Sequence, residues 1–435
     1  MIPTKKAVKI TNVGNMNIHI FGPYIDRVLS YRFQPYFIVK GKFHIKILNE
    51  KFKTMRICVY LTHYETLGHT TRMFNLLSVL KKEMNPEILI FQAGKPQKMF
   101  PLENLGRVIH LPYPLGKKFN ERDVFLMIKD FSKLKKRIKI IKDEVRKFRP
   151  DVLLTEFFPV GKEGWYLEVP VLLKESKRMG ARIVGSAGYP TFDFSPITRE
   201  MWKVYDSVFI HSREMDLKYC LRVRGKSYQK RFEIFWKKHK DKIHFTGYII
   251  RKFRRTDVRK ALKIGNKKLI VISRGGRVIG TEKIIEYALK VKKHFPDEYF
   301  LISLGPSVER REMKKYLKIG KKLRNVNIKP YFPDFINYIH AANLSINMGG
   351  YNTCVELMFL KKQNICIPKS NEQVYRALMM KDLGICEVIE YNKLNMKELA
   401  EKIKSRIESP LVPKKISRKW FMGDKTTVEI IKNLL

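Results

Sequence analysis

Three glycine-containing stretches of this sequence place polar side chains at the end of an apolar run, a pattern typical of ligand-binding loops. They are "VISRGGRVIG" (271–280), "NMGGYNTCVE" (347–356) and "LTHYETLGHTTR" (61–72). In the first two, glycine lets the backbone approach a ligand closely, and the helix that follows offers unpaired N–H groups and the positive end of its dipole. The pattern predicts a phosphate site formed by Ser273, Gly275, Gly276, Gly349 and Gly350.

The residues after Gly350 have the pattern of a helix start. Asn352 or Thr353 is the expected N-cap, because a side-chain oxygen there can accept a bond from a backbone N–H. Glu356 would lie one turn inside the helix, where its carboxylate could accept both hydroxyls of a ribose. A solvated carboxylate on the helix surface is the alternative for Glu356.

His69 is the candidate for acid–base chemistry. It follows Gly68 where the loop after the first strand becomes a helix. An imidazole has a pKa near neutrality and can accept the proton of an incoming hydroxyl. A capping or core histidine is the alternative, and His63 and Glu156 are competing bases.

These loops require alternating strands and helices to position them. Short apolar runs predict strands over 56–61, 87–92, 151–157, 181–187 and 207–212, and after residue 250 over 268–276, 299–305, 325–331, 344–350 and 364–369. The intervening helical patterns predict mainly parallel sheets, in which ligands gather at the carboxyl edge.

The alternation predicts two α/β domains that meet near residue 250. We expect residues 55–250 and 251–412 to form them and residues 413–435 to form a C-terminal helix. Residues 1–54 lack this alternation and are either a basic N-terminal extension or a small β-rich appendage; Met55 as the true start is also consistent with the pattern. The basic amphipathic stretch 124–150 is expected to be a crossover helix, with a membrane-surface helix as the alternative.

Composition limits the classes of function. The chain has 435 residues, 44% of them hydrophobic, and a formal charge of +47, which would attract nucleic acid, anionic lipid or phosphorylated substrates unless it only reflects general surface composition. It contains no run of about 18 apolar residues and no secretory signal, so we expect a cytoplasmic protein. Its five cysteines lack C-x-x-C spacing and favour neither disulfides nor zinc.

The glycine motifs also carry a family resemblance. "MGGYNTCVELMFLKKQNICIPK" (348–369) and "EQVYRA" (372–377) resemble the donor-binding half of family 28 glycosyltransferases, and residues 56–410 are similar to predicted MurG-like glycosyltransferases. The resemblance implies a GT-B fold, in which two Rossmann-like domains with parallel sheets face each other across a cleft. It also implies a hexosyltransferase that takes a UDP-sugar donor and a hydroxyl acceptor, lipid-linked or glycan, at the inner face of an anionic membrane.

The resemblance also implies roles for individual residues. Glu356 would bind the ribose, and Glu372 and Gln373 the hydroxyls of the donor sugar. Because the sequence has no D-x-D triplet to hold a metal, we expect Arg274 or Arg277, with the helix starts, to stabilise the leaving group. Gly68 and Arg72 join His69 on the acceptor side through the match to G-H-x-x-R. The residues implied at the nucleotide diphosphate are Ser273, Gly275, Gly276, Gly349, Gly350, Tyr351, Asn352 and Thr353.

Two absences bear on the mechanism, and two segments depart from the family. The sequence has no D-x-D triplet, and Asn364 stands where the E-x₇-E pattern of retaining enzymes needs its second glutamate. We therefore expect inversion without a metal or cofactor. The departures are "SRGGR" (273–277), which bears on the donor, and "SAGYPTF" (186–192), which bears on the acceptor.

Two other functions fit parts of the sequence. A sugar-nucleotide 2-epimerase would share the fold and the donor site and would need no acceptor. A basic nucleic-acid-binding protein would explain the charge, but it predicts aromatic stacking platforms among the basic residues. Runs such as "KKYLKIGKKL" (314–323) alternate lysine with aliphatic residues instead, so no nucleic-acid partner is expected.

Overall fold

Residues 1–54 and 55–435 form two separate compact units. The computed structural model describes residues 7–13, 16–21, 54–61, 67–94, 99–112, 131–161, 168–276, 281–306 and 308–434. In the first unit, β1 (Ala7–Val13) pairs antiparallel with β2 (Met16–Phe21).

The first sheet of the larger unit has seven parallel strands, in the order β5-β4-β3-β6-β7-β8-β9. The strands are β3 (Arg56–Leu61), β4 (Glu87–Gln92), β5 (Arg107–His110), β6 (Val152–Glu156), β7 (Arg182–Ala187), β8 (Ser207–Ile210) and β9 (Ile243–Phe245). Central strands such as β3 and β6 are apolar and buried along nearly their whole length, because helices cover both faces of a parallel sheet.

Six helices accompany this sheet in the described residues. They are α1 (Leu67–Met84), α2 (Phe131–Phe148), α3 (Val169–Arg178), α4 (Pro196–Val204), α5 (Leu217–Arg224) and α6 (Lys226–His239). The amphipathic stretch predicted over 124–150 is helical from Phe131, and its residues 124–130 lie outside the described part. Ile141, Val145 and Phe148 of α2 are buried in the core of this sheet. The apolar face of α2 therefore packs on the sheet, as expected of a crossover helix.

The second sheet has six parallel strands, in the order β12-β11-β10-β13-β14-β15. The strands are β10 (Leu269–Ser273), β11 (Tyr299–Ser303), β12 (Val326–Lys329), β13 (Leu344–Asn347), β14 (Asn364–Cys366) and β15 (Cys386–Val388). The remaining helices are α7 (Val258–Leu262), α8 (Glu282–Val291), α9 (Arg310–Gly320), α10 (Phe335–Ala341), α11 (Tyr351–Leu360), α12 (Asn371–Asp382), α13 (Met396–Glu408) and α14 (Gly423–Asn433). The prediction of two mainly parallel sheets with helices is confirmed.

The chain passes between the two sheets twice. It leaves β9 for the second sheet, and α14 returns to the first, where Val428 and Ile431 are buried in the same core as residues of α1. The two passages are bonded together: Tyr248 donates its N–H to the Trp420 carbonyl at 2.6 Å, and Gly423 donates to the Tyr248 carbonyl at 3.0 Å.

None of the helices in the described ranges is long and apolar enough to cross a membrane.

Candidate active site

Sheet register brings the acid–base candidates together. Strand β6 lies between β3 and β7 and ends at Glu156, which is paired in register with Ser186 of β7. Helix α1 follows β3 and carries His69 and Arg72 in its first two turns. These side chains therefore meet at the carboxyl edge of the first sheet, where parallel sheets hold ligands.

Glu156 is the centre of this cluster. Its carboxylate is fully buried and accepts bonds from the Arg72 guanidinium, from His69 Nδ1 at 2.8 Å and from Ser186 Oγ at 3.2 Å. Burial alone would raise the pKa of the Glu156 carboxyl, but the charge of Arg72 and the bond from His69 outweigh it and hold the pKa below its ordinary value. Glu156 is thus an anion that accepts bonds.

That arrangement sets the tautomer of His69. An anionic carboxylate can only accept, so Nδ1 carries the proton that it donates to Glu156, and Nε2 is the basic nitrogen of the ring. The ring of Phe157 packs edge-on against the imidazole, with centroids 5.2 Å apart. His69 is therefore oriented by its neighbours in the way a general base requires.

A second histidine extends the network inward. His211 is fully buried, with Nε2 at 2.9 Å from Ser186 Oγ and Nδ1 at 2.8 Å from Thr246 Oγ1. Burial, helped by the nearby charge of Arg72, lowers the pKa of His211 to about 3, so the ring is neutral.

Arg72 joins this cluster to the second sheet. Its guanidinium lies over the ring of Tyr351, the first residue of α11, at 5.0 Å from the centroid. On another side it meets Gly188, where an added Cβ would stand 2.4 Å from Arg72 Nη1. The absence of a side chain at Gly188 thus makes room for the guanidinium.

The start of α11 differs from the prediction. Gly350 is the N-cap residue, with extended dihedrals and no side-chain cap, so the expectation of an Asn352 or Thr353 cap is wrong. Asn352 Nδ2 instead donates to the carbonyl of Gly68 at 3.3 Å, and Tyr351 directs its hydroxyl to the carbonyl of His211 at 2.6 Å. Asn352, which could have capped the helix locally, instead bonds the start of α1.

The backbone at this helix start retains the geometry of an anion site. Cys354 donates the first intrahelical bond, to the Gly350 carbonyl at 3.0 Å, so the N–H groups of residues 351–353 precede the helical ladder. A Cβ added to Gly350 would meet nothing within 4 Å, and Thr353 is half-buried.

The two glycine turns lie side by side. Ser273 of β10 is in register with Asn347 of β13, so residues 274–276 and 348–350 leave the sheet together. Gly275 has φ +79° and Gly349 has φ +77°, a left-handed backbone that favours glycine. The Asn347 side chain accepts from the Gly349 N–H at 2.8 Å, and Ser273 Oγ accepts from the Gly275 N–H at 3.2 Å. Gly276 is half-buried.

Arg274 has its charge engaged in the protein interior. The buried guanidinium forms a two-pronged ion pair with Glu312 of α9, at 2.6 and 3.1 Å, and also donates to the Leu304 carbonyl. The structure therefore does not place Arg274 as a free cation for a leaving group. Arg277, the alternative, lies outside the described residues, as does His63, one of the competing bases.

Glu356 is buried and not solvated. Arg251, which lies between the two sheets in sequence, donates to Glu356 Oε1 at 3.1 Å. Burial nevertheless dominates and raises the pKa of the Glu356 carboxyl above its ordinary value. A pair of ligand hydroxyls bound at Glu356 would contact a carboxylate that Arg251 already holds in position.

Glu372 and Gln373 stand at the start of α12. Gln373 and Ser370 form a reciprocal capping box, in which Gln373 Oε1 accepts from the N–H groups of Lys369 and Ser370 at 2.8 and 3.2 Å. Glu372 accepts a bond from the hydroxyl of Tyr189, which follows β7 of the other sheet. Arg376 donates to the Gly349 carbonyl at 2.7 Å and so ties α12 to the glycine turn.

Sequence reasoning missed four residues of this site: Tyr189, His211, Arg251 and Arg376. The partners described above lie 25 to 183 residues away along the chain, in contacts created by sheet register and by the meeting of the two sheets. The sequence signals were that "SAGYPTF", which contains Tyr189, departed from the family pattern and that "EQVYRA", which contains Arg376, resembled it. In the described ranges, no group of three or more His, Cys, Asp and Glu side chains is arranged to hold a metal ion.

Comparison with known proteins bears on both halves of the chain. Residues 274–433 match the glycosyltransferase family 28 C-terminal domain. A curated relative from Finegoldia magna, UDP-N-acetylglucosamine--N-acetylmuramyl-(pentapeptide) pyrophosphoryl-undecaprenol N-acetylglucosamine transferase, is 26% identical over 357 residues, covering 78% of this chain and 86% of the relative.

Solved structures agree on the fold. The glycotransferase of kitacinnamycin matches with a TM-score of 0.60 and 14% identity, covering 88% of this chain and 100% of that one. UDP-GlcNAc 2-epimerase from Neisseria meningitidis, bound to UDP-GlcNAc, matches with a TM-score of 0.60 and 14% identity, covering 87% of this chain and 100% of that one. The predicted GT-B arrangement of two parallel sheets is confirmed.

Proposed function

We propose that this chain is a nucleotide-sugar glycosyltransferase that moves a hexose to a hydroxyl acceptor with inversion and without a metal or cofactor. The match of residues 274–433 to the glycosyltransferase family 28 C-terminal domain supports this. The observation that carries the proposal is the ordered pair of His69 and Glu156 beside the start of α11. A single displacement needs a base for the acceptor hydroxyl and, next to it, an anion site for the diphosphate that leaves.

The proposed step begins at His69. The acceptor oxygen attacks the anomeric carbon of the donor, and its proton passes to His69 Nε2 while Nδ1–H stays on Glu156. Glu156 remains anionic and stabilises the imidazolium that forms. The bond between the anomeric carbon and the diphosphate oxygen breaks, the electron pair leaves with the nucleotide, and the sugar is inverted.

The diphosphate would be held by backbone groups. The N–H groups of residues 351–353 and the turns containing Gly275, Gly276, Gly349 and Gly350 support this assignment, since a helix start and left-handed glycines favour anions. Arg72 lies over Tyr351 at this end of α11, but it is paired with Glu156 as Arg274 is with Glu312, so we assign the leaving group to the backbone N–H groups.

The rest of the donor would lie along α11 and α12. We propose that Glu356, with Arg251, accepts the ribose hydroxyls, and that Glu372 and Gln373 bind the sugar. The Finegoldia relative is named for a UDP-N-acetylglucosamine donor, which supports a UDP-sugar here. We propose that residues 251–412 bind the donor and residues 55–250 the acceptor. Residues 413–435 contain the C-terminal helix α14, which is shorter than predicted, and residues 1–54 would be an appendage.

The test is a binding and product assay. Thermal shift with UDP-N-acetylglucosamine, UDP-glucose, UDP-galactose and UDP should identify the donor, and incubation with that donor and hydroxyl acceptors should give an inverted glycoside by proton NMR. Full activity in the presence of EDTA is expected. Epimers formed from the donor alone would assign the chain to the 2-epimerases instead, and tight, salt-sensitive binding of nucleic acid without UDP-sugar binding would refute both.

The acceptor is proposed to be lipid-linked, and the protein to be cytoplasmic and peripheral on the inner face of the membrane. The undecaprenol in the name of the relative and the charge of +47 support this. Flotation with vesicles should show binding to anionic lipid that is lost at high salt. Equal binding to neutral vesicles, or binding that survives high salt, would refute an electrostatic membrane contact.

A further inference from the structure

The segment after β7 departs from the family pattern, and one of its residues reaches the opposite sheet. We propose that Tyr189 is a positioning residue that fixes Glu372 for the donor sugar, so that the acceptor side of the molecule helps to select the donor. This inference rests on the proposed function, because it takes Glu372 as a ligand of the sugar.

The contacts of Tyr189 are specific to this role. Its buried hydroxyl donates to Glu372 Oε1, while Arg376 lies over its ring at 5.3 Å from the centroid. On its other side the ring packs edge-on against Phe157 at 5.5 Å, and Phe157 packs in turn against His69 at 5.2 Å. Tyr189 therefore connects the residue proposed to hold the sugar with the residue proposed to take the proton.

The Tyr189 hydroxyl is in the protonation state that lets it donate a hydrogen bond. Burial, reinforced by the charge of Glu372, raises the pKa of the Tyr189 hydroxyl well above its ordinary value, so it remains a phenol at neutral pH. With Oε1 of Glu372 occupied by that phenol, Oε2 has no hydrogen-bond partner in the described part of the chain. The carboxylate is thus held at one oxygen and can accept a sugar hydroxyl at the other.

The position of Glu372 points to the sugar and not to the nucleotide. Helix α12 begins against the glycine turn: a Cβ on Gly349 would stand 3.0 Å from the Gln373 carbonyl, and Arg376 bonds the Gly349 carbonyl. A group bonded to the outer phosphate at this turn would lie near the start of α12. Glu356, the proposed ribose ligand, is on the other helix.

The chain offers a matched control. Tyr219 of α5 donates its hydroxyl to Asp382 Oδ2 at 2.7 Å, so it also joins the first sheet region to α12 through a phenol and a carboxylate. Asp382 is the last residue of α12, about 15 Å along the helix from Glu372 at 1.5 Å per residue. Tyr219→Phe therefore removes the same kind of bond from the same helix, far from the sugar.

The experiment measures the dissociation constants of UDP and of the UDP-sugar identified by the panel above, using the full chain. Tyr189→Phe should raise the dissociation constant of the UDP-sugar about 5- to 20-fold, as expected for loss of a bond to a charged group. The dissociation constant of UDP should stay within twofold of wild type. Tyr219→Phe should change neither. Glu372→Gln should weaken the UDP-sugar similarly, and the double variant should be no weaker than Glu372→Gln alone.

Each other result has a definite meaning. Equal weakening of UDP and UDP-sugar, or the same weakening in Tyr219→Phe, would overturn the inference and indicate that Tyr189 only docks α12. Unchanged binding in Tyr189→Phe would also overturn it and leave the proposed function intact. If the wild-type chain bound neither UDP nor any UDP-sugar, the proposed function would fail and the inference with it. If Tyr189→Phe did not fold, unchanged binding of the UDP-sugar in Glu372→Gln would still overturn the inference, because Tyr189 would then have no sugar ligand to position.

Discussion

The carboxyl edge of the seven-stranded sheet is built from side chains that bond one another, whereas that of the six-stranded sheet is built largely from backbone. At the first edge Glu156 gathers His69, Arg72 and Ser186 in a buried network. At the second, left-handed glycines and the start of α11 present N–H groups. A network of paired side chains can hold a base in one orientation, while backbone N–H groups suit a ligand that must bind and leave.

The difference also separates two kinds of sensitivity to mutation. Removing one partner from a buried network leaves the others unpaired, so changes at the first edge should alter chemistry and stability together. Changes at the second edge should act mainly through ligand affinity.

The largest effect is expected where the first edge meets the substrate. His69→Ala should lower turnover about a hundredfold or more, the scale of general-base help. The dissociation constant of the donor should stay within a few-fold, because the donor is proposed to bind at the six-stranded sheet. Initial rates and calorimetry measure the two quantities. His110→Ala, at the half-exposed end of β5, is the control and should behave as wild type. A large loss of donor affinity in His69→Ala would refute the proposal that the first edge supplies the base and the second edge binds the donor.

A change at the second edge should have the opposite effect, a loss of affinity with little change in turnover. Glu356→Ala should weaken binding of UDP by about 1.5–3 kcal/mol, the scale of hydrogen bonds to a charged group, while turnover at saturating donor changes little. Glu390→Ala, which removes an exposed carboxylate paired with Lys393, should leave affinity unchanged. An unaltered UDP dissociation constant in Glu356→Ala would refute the ribose assignment.

Stability should depend on pH through the first edge. His211 has a pKa of about 3 in the folded chain against an ordinary value of 6.5, and it is neutral there, between Arg72 and Glu156. As pH falls below 6.5, His211 therefore takes up a proton in the unfolded chain but not in the folded chain. The contribution of His211 to the free energy of unfolding, complete above pH 6.5, is lost progressively toward pH 3. Between pH 8 and pH 5 the loss should be about 2 kcal/mol.

Urea unfolding at these pH values measures this loss. His211→Gln has no titrating ring, so its free energy of unfolding should fall by about 2 kcal/mol less than that of wild type over the same interval. Parallel pH profiles for the two chains would mean that folding does not lower the pKa of His211. The Glu156 carboxyl, whose folded pKa lies below its ordinary value, contributes mainly below this interval.

The smallest effect is expected outside both edges. Residues 1–54 and 55–435 are separate compact units, so a chain beginning at Met55 should fold and bind UDP with an affinity within twofold of the full chain. Circular dichroism and calorimetry test this. An insoluble or molten product would show that both edges depend on the first unit.

Sequence patterns predicted the strands well because buried parallel strands are continuous apolar runs. Strands β5, β9 and β15 were missed because each has only three or four residues and lies at the edge of its sheet. The glycine turns were also predictable, since left-handed backbone and close approach select for glycine at Gly275 and Gly349.

The partners of the site residues could not be predicted in the same way. Arg274 looked like a free cation because nothing in its neighbourhood in sequence indicates Glu312, 38 residues later on α9. Likewise Asn352 looked like a cap because its partner, the carbonyl of Gly68, is 284 residues away. Local spacing reveals which groups the backbone presents, whereas long-range packing decides which side chains are already engaged.

The pairing of the two passages between the sheets has a mechanical consequence. Residues around Tyr248 and Trp420 form two chain segments joined by backbone bonds, and a Cβ on Gly423 would stand only 2.3 Å from the Gly247 carbonyl, so the segments are in backbone contact. Any movement of one sheet relative to the other must bend both segments together. We therefore expect the joined segments to limit twisting between the sheets and to keep the edge that carries His69 turned toward the start of α11.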